Sequence, residues 1–185
     1  MADACRRAIL GRAILAAPLL MAAASGADAY GFRLPSLEGG ELNFAAWRGR
    51  VLLVVNTASF CGYTPQYAAL QRLHDRFQAR GLTVVGVPSN DFNQESDDNR
   101  RIREFCDAQF GIEFPMAALS HVRGPQAVPL FRWLAEQGGG EPRWNFHKYL
   151  VARNGRTVRG FATGVQPESI EMLRAIETAL AAPSV

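Results

Sequence analysis

Cysteines are the side chains in this 185-residue chain best suited to redox chemistry, and there are three of them: Cys5, Cys61 and Cys106. Cys61 stands in the segment Ala58-Ser59-Phe60-Cys61-Gly62-Tyr63-Thr64-Pro65. An apolar, β-branched run precedes it and a helical pattern follows it, so the segment joins the carboxyl end of a buried strand to a helix. In open α/β sheets, sites form at that place. A thiol near a helix N-terminus meets unpaired N–H groups and the positive end of the dipole. Both favour the thiolate, which is the nucleophilic form. Gly62 leaves the backbone open to a small substrate. The alternative is an inert buried cysteine, which is common for free thiols. A strand-end loop carrying Ser59, Gly62 and Thr64 argues for the reactive reading.

The remainder of the chain bounds what that thiol can serve. Hydrophobic residues make up 48% and charged residues 20%, enough for one folded domain with a real core. The net charge of +3 is spread along the chain rather than clustered, which does not mark a nucleic-acid binder. Arg6, Arg7 and Arg12 open the sequence, an apolar run follows from Ala13 to Ala24, and Ala27-Asp28-Ala29 offers a small-residue cleavage site. This is the pattern of an export signal over residues 1–29, with the mature domain over residues 30–185. The run is too short to span a membrane, so no stable membrane insertion is expected. The Arg6-Arg7-Ala8-Ile9-Leu10 order also resembles a twin-arginine signal, so the Sec and twin-arginine routes both stay open. Export points to an exported, periplasmic protein. It also removes Cys5, leaving Cys61 and Cys106 as either a structural disulfide or a redox pair.

Elements that position Cys61 follow from periodicity. Phe32 to Phe44 reads as a hairpin turned at Glu38-Gly39-Gly40. Val51 to Thr57 and Leu82 to Val87 read as strands buried on both faces, paired in parallel by a right-handed crossover. Between them, Thr64-Pro65 predicts a helix cap, and Tyr67, Leu70, Leu73, Phe77 and Leu82 follow at helical spacing, with Gly81 as the stop. Ser89 to Ser96 is a polar loop, and Asp97 or Asp98 caps a helix that runs through Ile102, Phe105 and Phe110 to Gly111. Val128 to Gln137 is a third helix, broken at Gly138-Gly139-Gly140. Tyr149 to Ala152 and Thr157 to Phe161 flank Asn154-Gly155, a two-residue hairpin signal. A last amphipathic helix over Pro167 to Ala181 carries Ile170, Leu173, Ile176 and Leu180 on one stripe. The sum is α/β: a thioredoxin-like fold, with a mixed central sheet flanked by helices.

The motifs resemble a known family. Asn56-Thr57-Ala58-Ser59-Phe60-Cys61-Gly62-Tyr63-Thr64-Pro65-Gln66-Tyr67 is similar to the active-site segment of the glutathione peroxidase family, in its cysteine form. Gly86-Val87-Pro88-Ser89-Asn90-Asp91-Phe92 with Gln94-Glu95 resembles the second motif of that family. Phe105-Cys106 with Phe114-Pro115-Met116 resembles the third, and Trp144-Asn145-Phe146-His147-Lys148-Tyr149-Leu150 the fourth. The four occur in order and span nearly all of the mature chain.

The resemblance implies a thiol peroxidase that reduces hydrogen peroxide and organic or lipid hydroperoxides. It implies Cys61 as the peroxide-attacking cysteine, with Gln94, Trp144 and Asn145 around it. Side-chain amides and an indole N–H are neutral donors suited to a thiolate and a departing alkoxide. The product is a Cys61 sulfenic acid. Cys106 aligns with the resolving cysteine of thioredoxin-dependent members; the alternative is a core cysteine beside Ile102 and Phe105. The reductant is then a thioredoxin-like protein or glutathione. The stretch from Leu134 to Trp144 lacks the interface insertion of the family's tetramers, which implies a monomer with an open site. The second motif departs from the pattern. Asn93 alone separates Phe92 from Gln94, Ser96 replaces a Pro, Asp91 stands where Gln is common, and Ser89 stands where Cys is common.

No cofactor is implied. His74 and His121 have no second His or Cys at ligand spacing, which argues against a metal, and His147 reads as a surface residue. The competing function is a non-enzymatic thiol switch or thioredoxin-like binding module using Cys61 and Cys106. A copper chaperone of similar fold would need a second cysteine where Pro65 stands.

Overall fold

The computed structural model describes residues 28–183. The expected export signal lies outside the described residues except for Asp28 and Ala29, and these two belong to the folded domain. Asp28 accepts the Tyr30 N–H at 3.0 Å and pairs with Arg48 at 2.8 Å, and the Ala29 N–H reaches the Gly155 carbonyl at 2.8 Å.

A hairpin of β1 (Arg33–Pro35) and β2 (Glu41–Asn43) precedes a four-stranded sheet. That sheet holds β3 (Val51–Thr57), β4 (Leu82–Pro88), β5 (Lys148–Val151) and β6 (Val158–Phe161) in the order β4-β3-β5-β6. β3 pairs in parallel with β4 and antiparallel with β5, so it is interior, and all seven of its residues are buried. Alternation along β3 divides the core in two. Val51, Leu53 and Val55 meet α1 (Gln66–Phe77), α2 (Asn99–Phe110) and α4 (Ile170–Ala181) through Leu70, Ile102 and Ile176. Leu52 and Val54 meet α3 (Pro129–Gly138) and the N-terminal segment through Phe131, Tyr30 and Phe44.

Gly86 of β4 marks a close approach. A Cβ there would overlap the Met116 sulfur, and the bare backbone instead bonds Pro115 and Ala117, adding a short parallel bridge. α2 starts and stops as its sequence dictates: Asp98 accepts the Arg100 N–H, and Gly111 closes the helix at φ +56°.

Four local expectations are corrected. Thr64 does not cap α1; the helix begins at Gln66 behind Pro65, without a side-chain cap, because Thr64 is committed to the Cys61 turn. The β5–β6 hairpin is longer than two residues. Gly155 N–H bonds the Ala152 carbonyl, and Gly155 alone takes a left-handed φ of +67°, as in a type I turn with a glycine bulge. In α4 the buried stripe is Met172, Ile176 and Leu180, whereas Ile170 at the first turn is 70% exposed. His147 is not a surface residue: its ring is half-buried against Tyr149, with Nε2 buried and unpartnered among the described residues.

Candidate active site

The chain leaves β3 through a turn built on Thr64. Its hydroxyl donates to the Ala58 carbonyl at 2.9 Å and accepts the Cys61 N–H at 3.0 Å. The Thr64 N–H returns to the Cys61 carbonyl at 3.0 Å. These three bonds fix the backbone on both sides of Cys61. The thiol is 8% exposed, and its sulfur accepts the Tyr63 N–H at 3.4 Å. The donor to sulfur is therefore a turn amide ahead of α1, rather than one of the helix's own first N–H groups. Phe60 and Tyr63 flank it on the surface, Phe60 at 66% exposure.

Gln94 comes to this turn through the β4–α2 loop. The shortened loop closes at Asn93, which adopts a left-handed φ of +56° while its N–H bonds the Asn90 carbonyl. Asn tolerates that conformation better than most residues. The Gln94 carbonyl then accepts the N–H of Phe60, next to Cys61, at 3.0 Å. Its Oε1 accepts Asn145 Nδ2 at 2.9 Å, which leaves the two Nε2 protons of Gln94 to other acceptors. Asn145 is fully buried, and Trp144 is part-exposed with its ring against Phe92 at 5.3 Å. Gln94 and Asn145 are thus joined to each other and, through the Phe60 N–H, to the Cys61 turn, while the Trp144 ring rests on Phe92.

Asn56 holds the Trp144–His147 loop and was not singled out from the sequence. It is fully buried in β3. Nδ2 donates to the Trp144 carbonyl at 3.1 Å, Oδ1 accepts the His147 N–H at 3.0 Å, and its carbonyl accepts the Phe146 N–H at 2.6 Å. Between those anchors Phe146 is held at φ +60°, a sparsely populated conformation for a non-glycine residue. Lys148, wholly buried in β5, donates to the Phe146 carbonyl at 2.7 Å, and Thr163 donates to the Asn145 carbonyl at 2.8 Å. Burial pushes the Lys148 ammonium down to about 7, and burial with nearby Lys148 and Arg143 pushes His147 down to about 4. Two sequence signals bear on Asn56: it opens the first motif, and it is polar inside a mostly apolar buried strand.

Cys106 is also buried, on α2, and both cysteines are reduced. Burial pushes its thiol up to about 11. The aromatic neighbours of the two cysteines meet: the Phe60 and Phe105 rings lie 6.2 Å apart. Among the described residues no group of His, Cys, Asp and Glu could hold a metal ion. The His121 ring engages Asp91 at 2.6 Å.

Fold and turn together define a class: a thiol enzyme on a thioredoxin-like sheet, its cysteine at the strand-to-helix turn beside fixed amide donors. The glutathione peroxidase family model matches residues 29–135. The hydroperoxy fatty acid reductase gpx1 of Synechocystis is 41% identical over 152 residues, covering 76% of this chain and 90% of that protein. The glutathione peroxidase-like peroxiredoxin gpx1 of Schizosaccharomyces pombe is 37% identical, covering 72% and 88%. Among solved structures, T. cruzi GPX1 superposes with a TM-score of 0.66 at 26% identity, covering 83% and 97%. A putative thiol:disulfide interchange protein DsbE from Chlorobium tepidum shares the fold at 22% identity and a TM-score of 0.57, covering 84% and 97%. The chain belongs to the glutathione peroxidase family, and it is a thiol peroxidase.

Proposed function

We propose that the chain is an exported, monomeric peroxidase that reduces hydrogen peroxide and organic or lipid hydroperoxides through Cys61 and Cys106. The observation that carries the reading is the fixed Cys61 turn, tied through the Phe60 N–H to the Gln94–Asn145 amide pair. The Cys61 thiolate attacks one peroxide oxygen and the O–O bond breaks. Cys61 becomes a sulfenic acid, and the departing alkoxide takes a proton to leave as alcohol or water. Gln94 Nε2 and the Trp144 indole N–H are the donors for the developing charge. Cys106 then condenses with the sulfenic acid, releasing water, and a dithiol reductant of thioredoxin type reopens the disulfide.

Contact between Phe60 and Phe105 supports the pairing, since it sets the two cysteine-bearing segments side by side. Bringing the sulfurs into bonding distance requires α2 to open locally, and its first turns are largely exposed. The exposed Phe60 and the part-exposed Tyr63 and Trp144 give the site an apolar rim suited to an acyl chain, consistent with the named activity of the Synechocystis relative. The basic and apolar start of the sequence supports export to the periplasm.

The test is multiple turnover with thioredoxin and with glutathione, in wild type and Cys106→Ser. Loss of only the thioredoxin-linked rate in Cys106→Ser supports the two-cysteine cycle. Oxidation without turnover under either reductant makes the chain a switch instead.

A further inference from the structure

Thr163 stands just past β6, outside every motif of the sequence, and is half-buried. It occupies a turn closed by the Val165 N–H on the Ala162 carbonyl at 3.0 Å. Its hydroxyl donates to the Asn145 carbonyl at 2.8 Å. Its carbonyl accepts Gln66 Nε2 at 3.0 Å and Lys148 Nζ at 3.4 Å. Gln66 is the first residue of α1 and only 3% exposed. Its backbone N–H bonds the Tyr63 carbonyl at 2.9 Å, which makes it part of the turn that carries Cys61. Its Oε1 is buried and unpartnered among the described residues, so the Thr163 carbonyl is the one hydrogen-bond partner of that side chain there. The Asn145–Phe146 peptide is held at both edges, its C=O by Thr163 and its N–H by the Asn56 carbonyl at 2.6 Å. Rotation of that peptide would swing the Asn145 side chain, whose Nδ2 donates to Gln94 Oε1 at 2.9 Å. The Gln94 carbonyl accepts the Phe60 N–H, next to Cys61, at 3.0 Å. The bonds therefore close a ring: from the Cys61 turn to Gln94, to Asn145, to Thr163, to Gln66 and back into the turn.

We propose that Thr163, with Gln66, is a positioning residue for peroxide cleavage, an inference that rests on Cys61 being the attacking thiol as proposed above. The ring ties the Gln94–Asn145 amide pair to the Cys61 turn from two directions. One tie runs through the β4–α2 loop and the Phe60 N–H, the other through Thr163 and the first residue of α1. A single tie leaves the pair free to pivot about it, and the second removes that freedom. Thr163 acts through Asn145, which engages Gln94 Oε1 and so leaves the Nε2 protons for the departing oxygen. A donor of this kind works only at about 2.7–3.1 Å from where the charge forms, so its placement decides its worth. The Cys61 thiol is governed by other bonds: the Thr64 hydroxyl accepts its N–H, and the Tyr63 N–H reaches its sulfur. Loss of the Thr163 hydroxyl therefore separates two properties. Cleavage of the O–O bond slows, while the reactivity of the thiol toward a reagent that needs no oxygen donor is kept.

Two rates measured on each protein test this. Stopped-flow Trp fluorescence gives the reaction with hydrogen peroxide, and peptide mass spectrometry after timed quenches gives alkylation of Cys61 by iodoacetamide. Thr163→Val removes the hydroxyl at nearly constant shape. It is expected to slow the peroxide reaction by about 10- to 100-fold, the scale of a donor misplaced by a fraction of an ångström to 1 Å. Alkylation of Cys61 should stay within about twofold of wild type, because its own turn is untouched. Thr163→Ser keeps the donor and should restore most of the peroxide rate. Gln66→Met should show the same split, and the double variant should lose little more than the worse single one, since both cut one ring. A Thr163→Val protein with the wild-type peroxide rate overturns the proposal. So does a parallel fall in both rates, which would make Thr163 a support of the fold or of the thiol alone. A Thr163→Ser protein as slow as Thr163→Val overturns it too. If Thr163→Val does not fold, Gln66→Met decides by the same split. A wild type whose Cys61 is alkylated but does not react with peroxide overturns the underlying reading of Cys61 instead.

Discussion

Asn56→Ala tests whether the site is held from β3. The substitution removes two buried side-chain bonds, to the Trp144 carbonyl and the His147 N–H, and leaves both groups without partners. An orphaned buried polar group costs about 1–3 kcal/mol, so the total is about 2–6 kcal/mol. Phe146 at φ +60° keeps its backbone bond to Asn56 but loses the anchors on either side, and the strained turn has reason to relax. Displacement of Trp144 and Asn145 by about 1 Å costs on the order of 100-fold in rate. Urea unfolding gives the stability, and the rapid Trp fluorescence change on adding peroxide gives the rate. Leu52→Ala is the control: it opens a cavity near the start of β3, four residues before Asn56, and costs about 2–5 kcal/mol without touching the loop. Comparable destabilisation in both variants, with the fast phase lost only in Asn56→Ala, is the expected pattern. An Asn56→Ala protein with wild-type stability and rate refutes the reasoning.

Three further outcomes follow from burial and capping. His147 is depressed to about 4, so the unfolded chain takes up a proton below about pH 6.5 while the folded one does not. Stability is therefore present above pH 6.5 and lost as pH falls through 4, by about 3 kcal/mol at most, and unfolding of His147→Gln should show a flatter acid limb. Lys148, depressed to about 7, binds its proton more weakly folded than unfolded, so stability gains between pH 7 and 10.5. Lys148→Met should lack that gain in a wild-type-minus-variant comparison of urea midpoints. A chain starting at Tyr30 loses the Asp28 cap and the Ala29 bond to Gly155, and should be about 1–3 kcal/mol less stable than one starting at Asp28. Thermal melts of the two forms check this.

Buried strands were the most legible part of the sequence, because β3 and β4 are apolar on both faces and leave no choice of register to the solvent. The ends of α2 were legible for a similar reason: Asp98 and Gly111 perform local jobs that nothing distant contests. Misreadings arose where a residue had two possible jobs. Thr64 fits a helix cap, yet its hydroxyl serves the Cys61 turn. Ile170 fits the apolar stripe of α4 by spacing, yet it is left exposed in the first turn and only Met172, Ile176 and Leu180 are covered. Asn154-Gly155 signals a turn, but its type depends on Asn154 spending its side chain on the Arg156 and Thr157 N–H groups.

At the candidate site, motif order pointed to Cys61, Gln94, Trp144 and Asn145; the structure ties Gln94 and Asn145 to the Cys61 turn and sets the Trp144 ring against Phe92. The supports were not legible. Asn56 and Thr163 act on backbone groups far away in sequence, Lys148 turns back on the Phe146 carbonyl from a buried strand, and Glu95 lies in the stretch read as a polar loop yet is buried. Long-range polar burial has no periodicity to reveal it.

The central claim is that Cys61 attacks peroxide. Treating Cys106→Ser with one equivalent of hydrogen peroxide, in the presence of a 1,3-diketone that captures sulfenic acids, isolates that event. Peptide mass spectrometry should find one adduct, on Cys61, and none in Cys61→Ser. An unlabelled Cys61, or an adduct that persists in Cys61→Ser, would contradict it.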